Sequence, residues 1–340
     1  DERKGLILCL KIEFSDGLRG RNMISKSRLT LFGIGTIAVL LAHSTLIVTV
    51  PKVLQVLLGN GAIWAVRMFF FLSAIGLVCS ANKNGLVVRE YYLKRVRRVL
   101  IPFLLIGIPF YFWQEILLYH RPLHFLTKVT LLEYWISGKG HVWYLAVLLP
   151  LYLVFPLLYR VLKSCRGKHE LLTIGWIVFD VLLHKLAVNY CDMVENMFTS
   201  VFAFLFGMLV ADRVDSLKKR DAFLVVVGIA AFPIVSVLTD GNNVLVRYSS
   251  CFVGICMSFL FAYIFIKIRL GYLDKLLKTI GTYSLELYIT NVFLIEIVNC
   301  YFDFAIPVVR LALILGGGII LSYLLQRVSN CVRWMLDNKL

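Results

Sequence analysis

A histidine stands about two-thirds of the way along the first long apolar stretch of the chain. His43 belongs to the apolar run 29–50, which is long enough for a membrane-spanning helix of about 20 residues. A titratable side chain at membrane depth is costly, and it therefore marks a functional site by default. Neutral imidazole is a suitable general base near pH 7. The position alone gives equal support to a structural histidine that is hydrogen-bonded to a neighbouring helix.

A run of basic residues opens the third apolar stretch, at residues 94–98. On a helix, Arg95 and Arg98 share one face. Guanidinium groups bind phosphates through paired hydrogen bonds, so this face is a candidate phosphate site. The alternative is a topology signal that contacts anionic lipid headgroups, and we favour it for Lys94 and Arg97.

The elements that must position these side chains are membrane helices. The chain is 60% hydrophobic and 16% charged, whereas soluble domains are about 25% charged. Hydropathy and turn signals therefore predict an all-α, polytopic membrane protein with about ten transmembrane helices. The predicted spans are 29–50, 61–80, 99–118, 142–162, 171–188, 196–211, 222–239, 246–267, 283–300 and 304–325.

The charges between these spans predict their orientation. Of the 36 Lys and Arg residues, 28 lie in the two terminal segments and in the loops on the same predicted side, and six lie in the opposite loops. By the positive-inside rule both termini are cytoplasmic. The asymmetry also accounts for the net charge of +16 without a nucleic-acid partner, and it leaves membrane lipids as partners.

Three segments follow from this map. Residues 1–28 form a basic cytoplasmic segment without a signal peptide, in which Met23 is a plausible start and residues 1–22 an upstream extension. Residues 29–325 form the ten-helix domain, and residues 326–340 form a cytoplasmic tail. The outer loop 119–141 contains a candidate helix that lies on the membrane surface or dips into it.

Eight scattered cysteines without a C-x-x-C pair predict no metal site.

Six short motifs occur in order along the ten-span map. They are the first-helix histidine His43, RMFFFLSAIG at 67–76, YYLKRVRRVLIP at 91–102, HVWYL at 141–145, FLFGML at 204–209 and GTYSLELY at 281–288. Their order and spacing resemble acyltransferase family 3, the ten-helix membrane O-acyltransferases of bacteria. The resemblance covers nearly the whole chain from residue 29.

The resemblance implies an acyl-CoA-dependent O-acyltransferase in the inner (cytoplasmic) membrane. It would move an acyl group, usually acetyl, from cytoplasmic acyl-CoA to a hydroxyl of a surface glycan or a lipid-linked sugar. His43 would be the catalytic base, or alternatively a nucleophilic relay. Arg95 and Arg98, which match family positions, would bind the CoA phosphates.

Three further residues are candidate acceptor-binding residues. Arg67 could hold an anionic acceptor or pair with Glu133, and snorkelling to the membrane surface is an equal alternative. His141 and Trp143 lie at the predicted outer edge of the fourth span, where a sugar could meet them. An exposed structural histidine and an aromatic belt residue are the alternatives.

Two departures separate the chain from the family pattern. The family has a basic residue eleven positions before the first-helix histidine, and Phe32 stands there. Arg28 lies one helical turn earlier on the same face, and we expect it to substitute as a donor-binding residue. Asn291 stands where related motifs carry histidine. These departures keep a catalytically inactive member open as an alternative. The ten-span map with Arg67, Glu286 and Arg310 keeps open a glycolipid transporter, although Glu286 and Arg310 are expected to pair with each other, since neither charge is favourable alone in a span.

Overall fold

The described part of the chain is helical in its regular structure. The computed structural model describes residues 23–138, 140–164, 192–212, 244–268, 271–302 and 304–338, together with residue 227 and seven positions between 171 and 182. The helices are α1 (Met23–Ser44), α2 (Lys52–Asn84), α3 (Val88–Leu118), α4 (Pro122–Val129), α5 (Leu132–Ser137), α6 (Trp143–Ser164), α7 (Asp192–Val210), α8 (Val244–Ile268), α9 (Gly271–Thr282), α10 (Ser284–Tyr301) and α11 (Pro307–Asp337).

Six of these helices are long and apolar enough to cross a membrane: α1, α2, α3, α6, α8 and α11. The predicted span 196–211 corresponds to α7, whose apolar part is shorter than those of the six helices. The predicted span 283–300 corresponds to α10. The spans 171–188 and 222–239 lie almost wholly outside the described residues. The chain is therefore a multi-pass membrane protein by composition, and the count of ten and the orientation of its termini stay predictions.

The first span is displaced from its predicted bounds. The helix begins at Met23 and ends at Ser44, so His43 lies in its last turn rather than two-thirds of the way along it. The hydroxyls of Ser44 and Thr45 donate to the carbonyls of Leu41 and Ala42 at 2.6 and 2.8 Å. Such local bonds compete with further helical hydrogen bonds, which places His43 where α1 gives way to a turn.

Glycines allow the closest helix contacts in the bundle. A Cβ on Gly33 of α1 would collide with the carbonyl of Leu277 in α9, and a Cβ on Gly281 of α9 would collide with the carbonyl of Leu29. Small residues let membrane helices approach closely. The reciprocal pair holds the amphipathic helix α9 against the first half of α1.

Helix α3 contains two wider, π-helical turns, at Val96–Leu100 and Phe112–Leu118. Each lies close to a proline, Pro102 or Pro109. A proline removes one backbone donor from the regular series of helical hydrogen bonds, which favours a local change of helix geometry. π-helical turns alter which side chains share a face and are frequent at functional sites. The first one carries Arg98.

Helices α4 and α5 form a short hairpin between α3 and α6. Leu131 stands between the two helices with a left-handed backbone, φ 62°, and its side chain is buried. The apolar segment predicted within 119–141 is therefore two short helices whose connection packs into the bundle.

Candidate active site

The three arginines that the sequence singled out line one cavity. The cavity has a volume of about 380 Å³, and Arg28, Arg95 and Arg98 all contribute to its wall. Along α1 it extends from Arg28 to Val39, about 16 Å at 1.5 Å per residue. We call the end that holds the arginines the basic end.

Arg28 reaches the cavity because α2 has no side chain opposite it. A Cβ on Gly76 would collide with Nη1 of Arg28. Arg28 makes no hydrogen bond or ion pair with any residue that the structure describes. Its guanidinium donors are therefore available to a ligand in the cavity.

Arg95 is held by aromatic rings rather than by carboxylates. Its guanidinium carbon lies 5.8 Å from the centre of the Tyr91 ring and 5.5 Å from that of Tyr152, within the range of cation–π attraction. The Tyr91 hydroxyl donates to the Tyr152 carbonyl at 2.9 Å, which Pro156 has freed from its regular helical bond. Within the described chain, the buried Nε of Arg95 has no hydrogen-bond partner.

Arg98 has a carboxylate partner, unlike the other two arginines. Its Nη1 lies 3.3 Å from Oε1 of Glu286, and its Nη2 donates to the Thr282 carbonyl at 2.9 Å. Glu286 is fully buried, so Arg98 supplies the positive charge that a buried carboxylate requires. The sequence-based pairing of Glu286 with Arg310 is wrong, and Arg310 instead donates to Asn299 at 2.6 Å.

Aromatic and aliphatic side chains form most of the remaining cavity wall, together with the serines Ser73, Ser80 and Ser284. Phe32, at the position where the family has a basic residue, stacks on Phe69 with ring centres 5.6 Å apart. Tyr144 and Tyr288 also line the cavity, and their rings are in edge contact at 5.4 Å. The cavity therefore combines one cationic end with a largely apolar interior.

His43 lies one helical turn beyond Val39, the last cavity residue on α1. Its Nδ1 is 2.8 Å from Oδ1 of Asn291 on α10. An amide oxygen can only accept, so Nδ1 carries the proton and Nε2 is left with a free lone pair. This tautomer presents Nε2 as a base.

The structure does not bring Arg67, His141 and Trp143 into the cavity wall. Arg67 is 2% exposed and donates to Oγ1 of Thr199 at 3.2 Å, so its guanidinium joins α2 to α7 and does not snorkel. His141 is exposed, with Nε2 3.8 Å from Oε2 of Glu296, and Trp143 packs partly buried against the core. The backbone carbonyl of His141 accepts from the Tyr288 hydroxyl at 3.2 Å.

Sequence reasoning missed a polar cluster near the far end of α3. Lys128 Nζ lies 2.6 Å from Oε1 of Glu115 and 3.2 Å from Oε1 of Gln114, whose amide nitrogen donates to Glu296 at 2.5 Å. We call these four residues the lysine–carboxylate cluster. Their charges lie within or beside apolar stretches, a signal that could have found them.

One comparison with known proteins identifies a relationship. A protein-family model described as an acyltransferase domain matches residues 33–327. Neither a curated protein nor a solved structure matches the chain. The matched region includes Arg95, Arg98, His43 and Asn291, and it begins five residues after Arg28.

Proposed function

The chain belongs to the acyltransferase domain family, and from that premise we propose that it transfers an acyl group from acyl-CoA to a sugar hydroxyl. The acetyl group, and a surface glycan or lipid-linked sugar as acceptor, come from the family resemblance. So does a place in the cytoplasmic membrane, whereas the positive-inside rule directs the basic end toward the cytoplasm. The observation that carries the proposal is the convergence of three arginines on one cavity whose far end lies a turn from His43.

Charge complementarity supports acyl-CoA as the donor. Arg28 and Arg95 make no ion pair within the described chain, and Arg98 has one carboxylate partner. Phosphates are ligands that guanidinium groups bind strongly. We assign the phosphates of CoA to the basic end, with the thioester arm directed along the cavity toward Val39 and Tyr288.

The geometry at His43 supports a base-catalysed transfer. Nε2 accepts the proton of the acceptor hydroxyl, whose oxygen then attacks the thioester carbonyl carbon. As the new C–O bond forms, the carbon–sulfur bond breaks, and the departing sulfur takes the proton from the imidazolium. Asn291 keeps Nδ1 protonated throughout, so a single ring nitrogen receives and returns the proton.

The position of Arg28 weighs against an inactive protein. The missing basic residue at Phe32 motivates that alternative, but Arg28 supplies a guanidinium to the same cavity. A transporter has less support, because Glu286 binds Arg98 and Arg67 binds Thr199 inside the helix bundle. We therefore retain transfer as the function.

Replacement of the histidine tests the proposal. His43→Ala, purified in lipid nanodiscs, should lose at least about 100-fold in acetyl transfer to a glycan acceptor, since general base catalysis contributes about 10²–10⁴-fold. Binding of acetyl-CoA, measured by calorimetry, should be unchanged because His43 does not line the cavity.

The matched control is His124→Ala, which removes an exposed imidazole from α4 and should keep wild-type transfer. Near-wild-type turnover by His43→Ala would refute the catalytic role. Loss of transfer in both variants would indicate damage to the fold instead.

A further inference from the structure

A second cavity lies on the other side of Arg95. It has a volume of about 370 Å³ and lies between α3, α6 and the α4–α5 hairpin. Its wall is almost entirely apolar, formed by residues such as Val96, Leu100, Leu131, Trp135, Leu149 and Leu153. We call it the lateral groove.

The groove opens to the surface of the helix bundle. Val96, Leu132, Trp135 and Leu153 all line it and are exposed. Val96 and Leu153 belong to the spanning helices α3 and α6, and exposed apolar side chains on spanning helices face lipid. A ligand can therefore enter the groove sideways from the bilayer.

One cation stands at the edge of this apolar groove. Arg95 and Tyr152 line both the lateral groove and the arginine cavity. The guanidinium is positioned by two tyrosine rings and makes no hydrogen bond with any described residue. A buried donor without a partner is costly, so an anionic group that reaches it gains a strong, charge-assisted bond.

We propose that the lateral groove binds an anionic phospholipid of the bilayer, with one hydrocarbon chain between α3 and α6 and the phosphate at Arg95. The chain fits the apolar wall, the headgroup fits the unpaired guanidinium, and the lateral opening fits a ligand already dissolved in the membrane. The proposal goes beyond acyl transfer and does not depend on it. Since Arg95 lines both the lateral groove and the arginine cavity, the lipid phosphate competes for this guanidinium with any anion bound in that cavity.

Photo-crosslinking of the wild-type protein tests the site directly. The probes are phosphatidylglycerol and phosphatidylcholine that carry a diazirine in one acyl chain, each incorporated into nanodiscs. Phosphatidylglycerol should label peptides of the groove, such as 131–135 and 149–153, at least five-fold more than phosphatidylcholine does. The exposed face of α11 at Ile319 and Ile320 should be labelled equally by both.

Matched variants separate the groove from the lipid annulus. Val96→Trp fills the groove beside Arg95, whereas Val154→Trp places the same ring on α6 outside it, and the two valines are similarly exposed, at 43% and 41%. Val96→Trp should abolish the preferential labelling and Val154→Trp should preserve it. Arg95→Gln should keep labelling of the groove but lose the preference for phosphatidylglycerol.

The proposal would be overturned if the two lipids labelled the groove peptides of the wild-type protein equally, as they should label α11. So would unchanged preference in a folded Val96→Trp variant. If Val96→Trp fails to fold, the wild-type ratio and Arg95→Gln still decide. No turnover enters these measurements, so their failure and the failure of acyl transfer are distinguishable.

Discussion

The basic end and the lysine–carboxylate cluster both hold charges inside the helix bundle, but they balance them differently. At the cluster, Lys128 lies against Glu115, and Gln114 bridges Lys128 to Glu296. At the basic end, three arginines line one cavity, and one of them, Arg98, pairs with the buried carboxylate of Glu286. The cation of the cluster is paired with a carboxylate, whereas Arg28 and Arg95 at the basic end have no carboxylate partner within the described chain.

The difference separates a structural use of buried charge from a ligand-binding use. A buried pair that satisfies itself stabilises one arrangement of the helices, and the loss of one partner leaves the other uncompensated. An excess of guanidinium groups beside a cavity favours an anionic ligand. Substitutions at the cluster should therefore affect stability, and those at the basic end should affect donor binding.

Lys128→Met should give the largest change in stability. It leaves the buried carboxylate of Glu115 without its cation, which costs about 3–5 kcal/mol in comparable buried pairs. Thermal and denaturant unfolding in detergent micelles would measure the loss. Affinity for acetyl-CoA in the surviving folded fraction should not change, and weaker donor binding there would break the comparison.

The control for that loss is Lys94→Met. Lys94 pairs with Glu90 at 3.5 Å, but both side chains are about two-thirds exposed. Exposed pairs contribute less than about 1 kcal/mol. Equal destabilisation by the two substitutions would contradict the role assigned to burial.

Asn291→Leu should lower turnover at saturating donor by roughly 10- to 100-fold, because Nδ1 of His43 loses the acceptor that fixes its tautomer. The KM for acetyl-CoA should stay unchanged. Asn291→Asp, which restores an acceptor oxygen, should recover part of the rate. ¹⁵N spectra of histidine-labelled protein, with His43→Gln as the assignment control, should report a protonated Nδ1 only when an acceptor is present at residue 291. A leucine variant with wild-type turnover would remove Asn291 from the mechanism.

Gly76→Ala should weaken acetyl-CoA binding by about 10-fold, since its methyl group displaces the guanidinium of Arg28 and a charged hydrogen bond contributes about 1.5–3 kcal/mol. Stability should hardly fall, because alanine is the better helix former. Gly59→Ala on the same helix has no heavy atom within 4 Å of its new Cβ and is the matched control. Unchanged affinity in Gly76→Ala would show that Arg28 does not contact the donor.

Thr30→Val should give the smallest effect, about 1 kcal/mol of stability. Burial raises the pKa of Asp274, but the hydrogen bonds from Lys278 and from Thr30, the latter at 2.6 Å, outweigh it and hold this pKa below its ordinary 3.8. A carboxyl group whose pKa is lowered in the folded state stabilises the fold at pH values above its ordinary pKa. This contribution is lost as the pH falls through the lower pKa of the folded state. The difference in the free energy of unfolding between wild type and variant should therefore have its full value at pH 7 and decrease below about pH 3.8. A gap that is constant down to pH 2 would exclude this linkage.

The arginine cavity could be anticipated from sequence because it depends on local features. Arg95 and Arg98 share a helix face by spacing alone, and Arg28 lies one turn from the position that the motif leaves empty. Pairings between distant helices could not be anticipated in the same way. Glu286 binds Arg98 and not Arg310 because of the arrangement of α3 against α10, which hydropathy does not encode.

The end of the first helix shows another limit. Residues 45–50 are mostly apolar, so hydropathy extends the span to residue 50. The chain leaves the helix at Ser44, where hydroxyls bond back to carbonyls. Hydropathy indicates which residues are stable in the membrane, but it does not indicate where the backbone hydrogen bonding of a helix ends. The end of that hydrogen bonding determines the position of His43 in α1.

Equilibrium binding of acetyl-CoA to arginine variants tests the central claim most directly. Arg28→Gln and Arg95→Gln, purified in nanodiscs of neutral lipid, should each weaken binding by at least about 10-fold, because each removes a charge-assisted contact to phosphate. Arg121→Gln, which removes an exposed arginine in the loop before α4, should bind like the wild type. Wild-type affinity in both cavity variants would contradict the assignment of the arginine cavity to the donor.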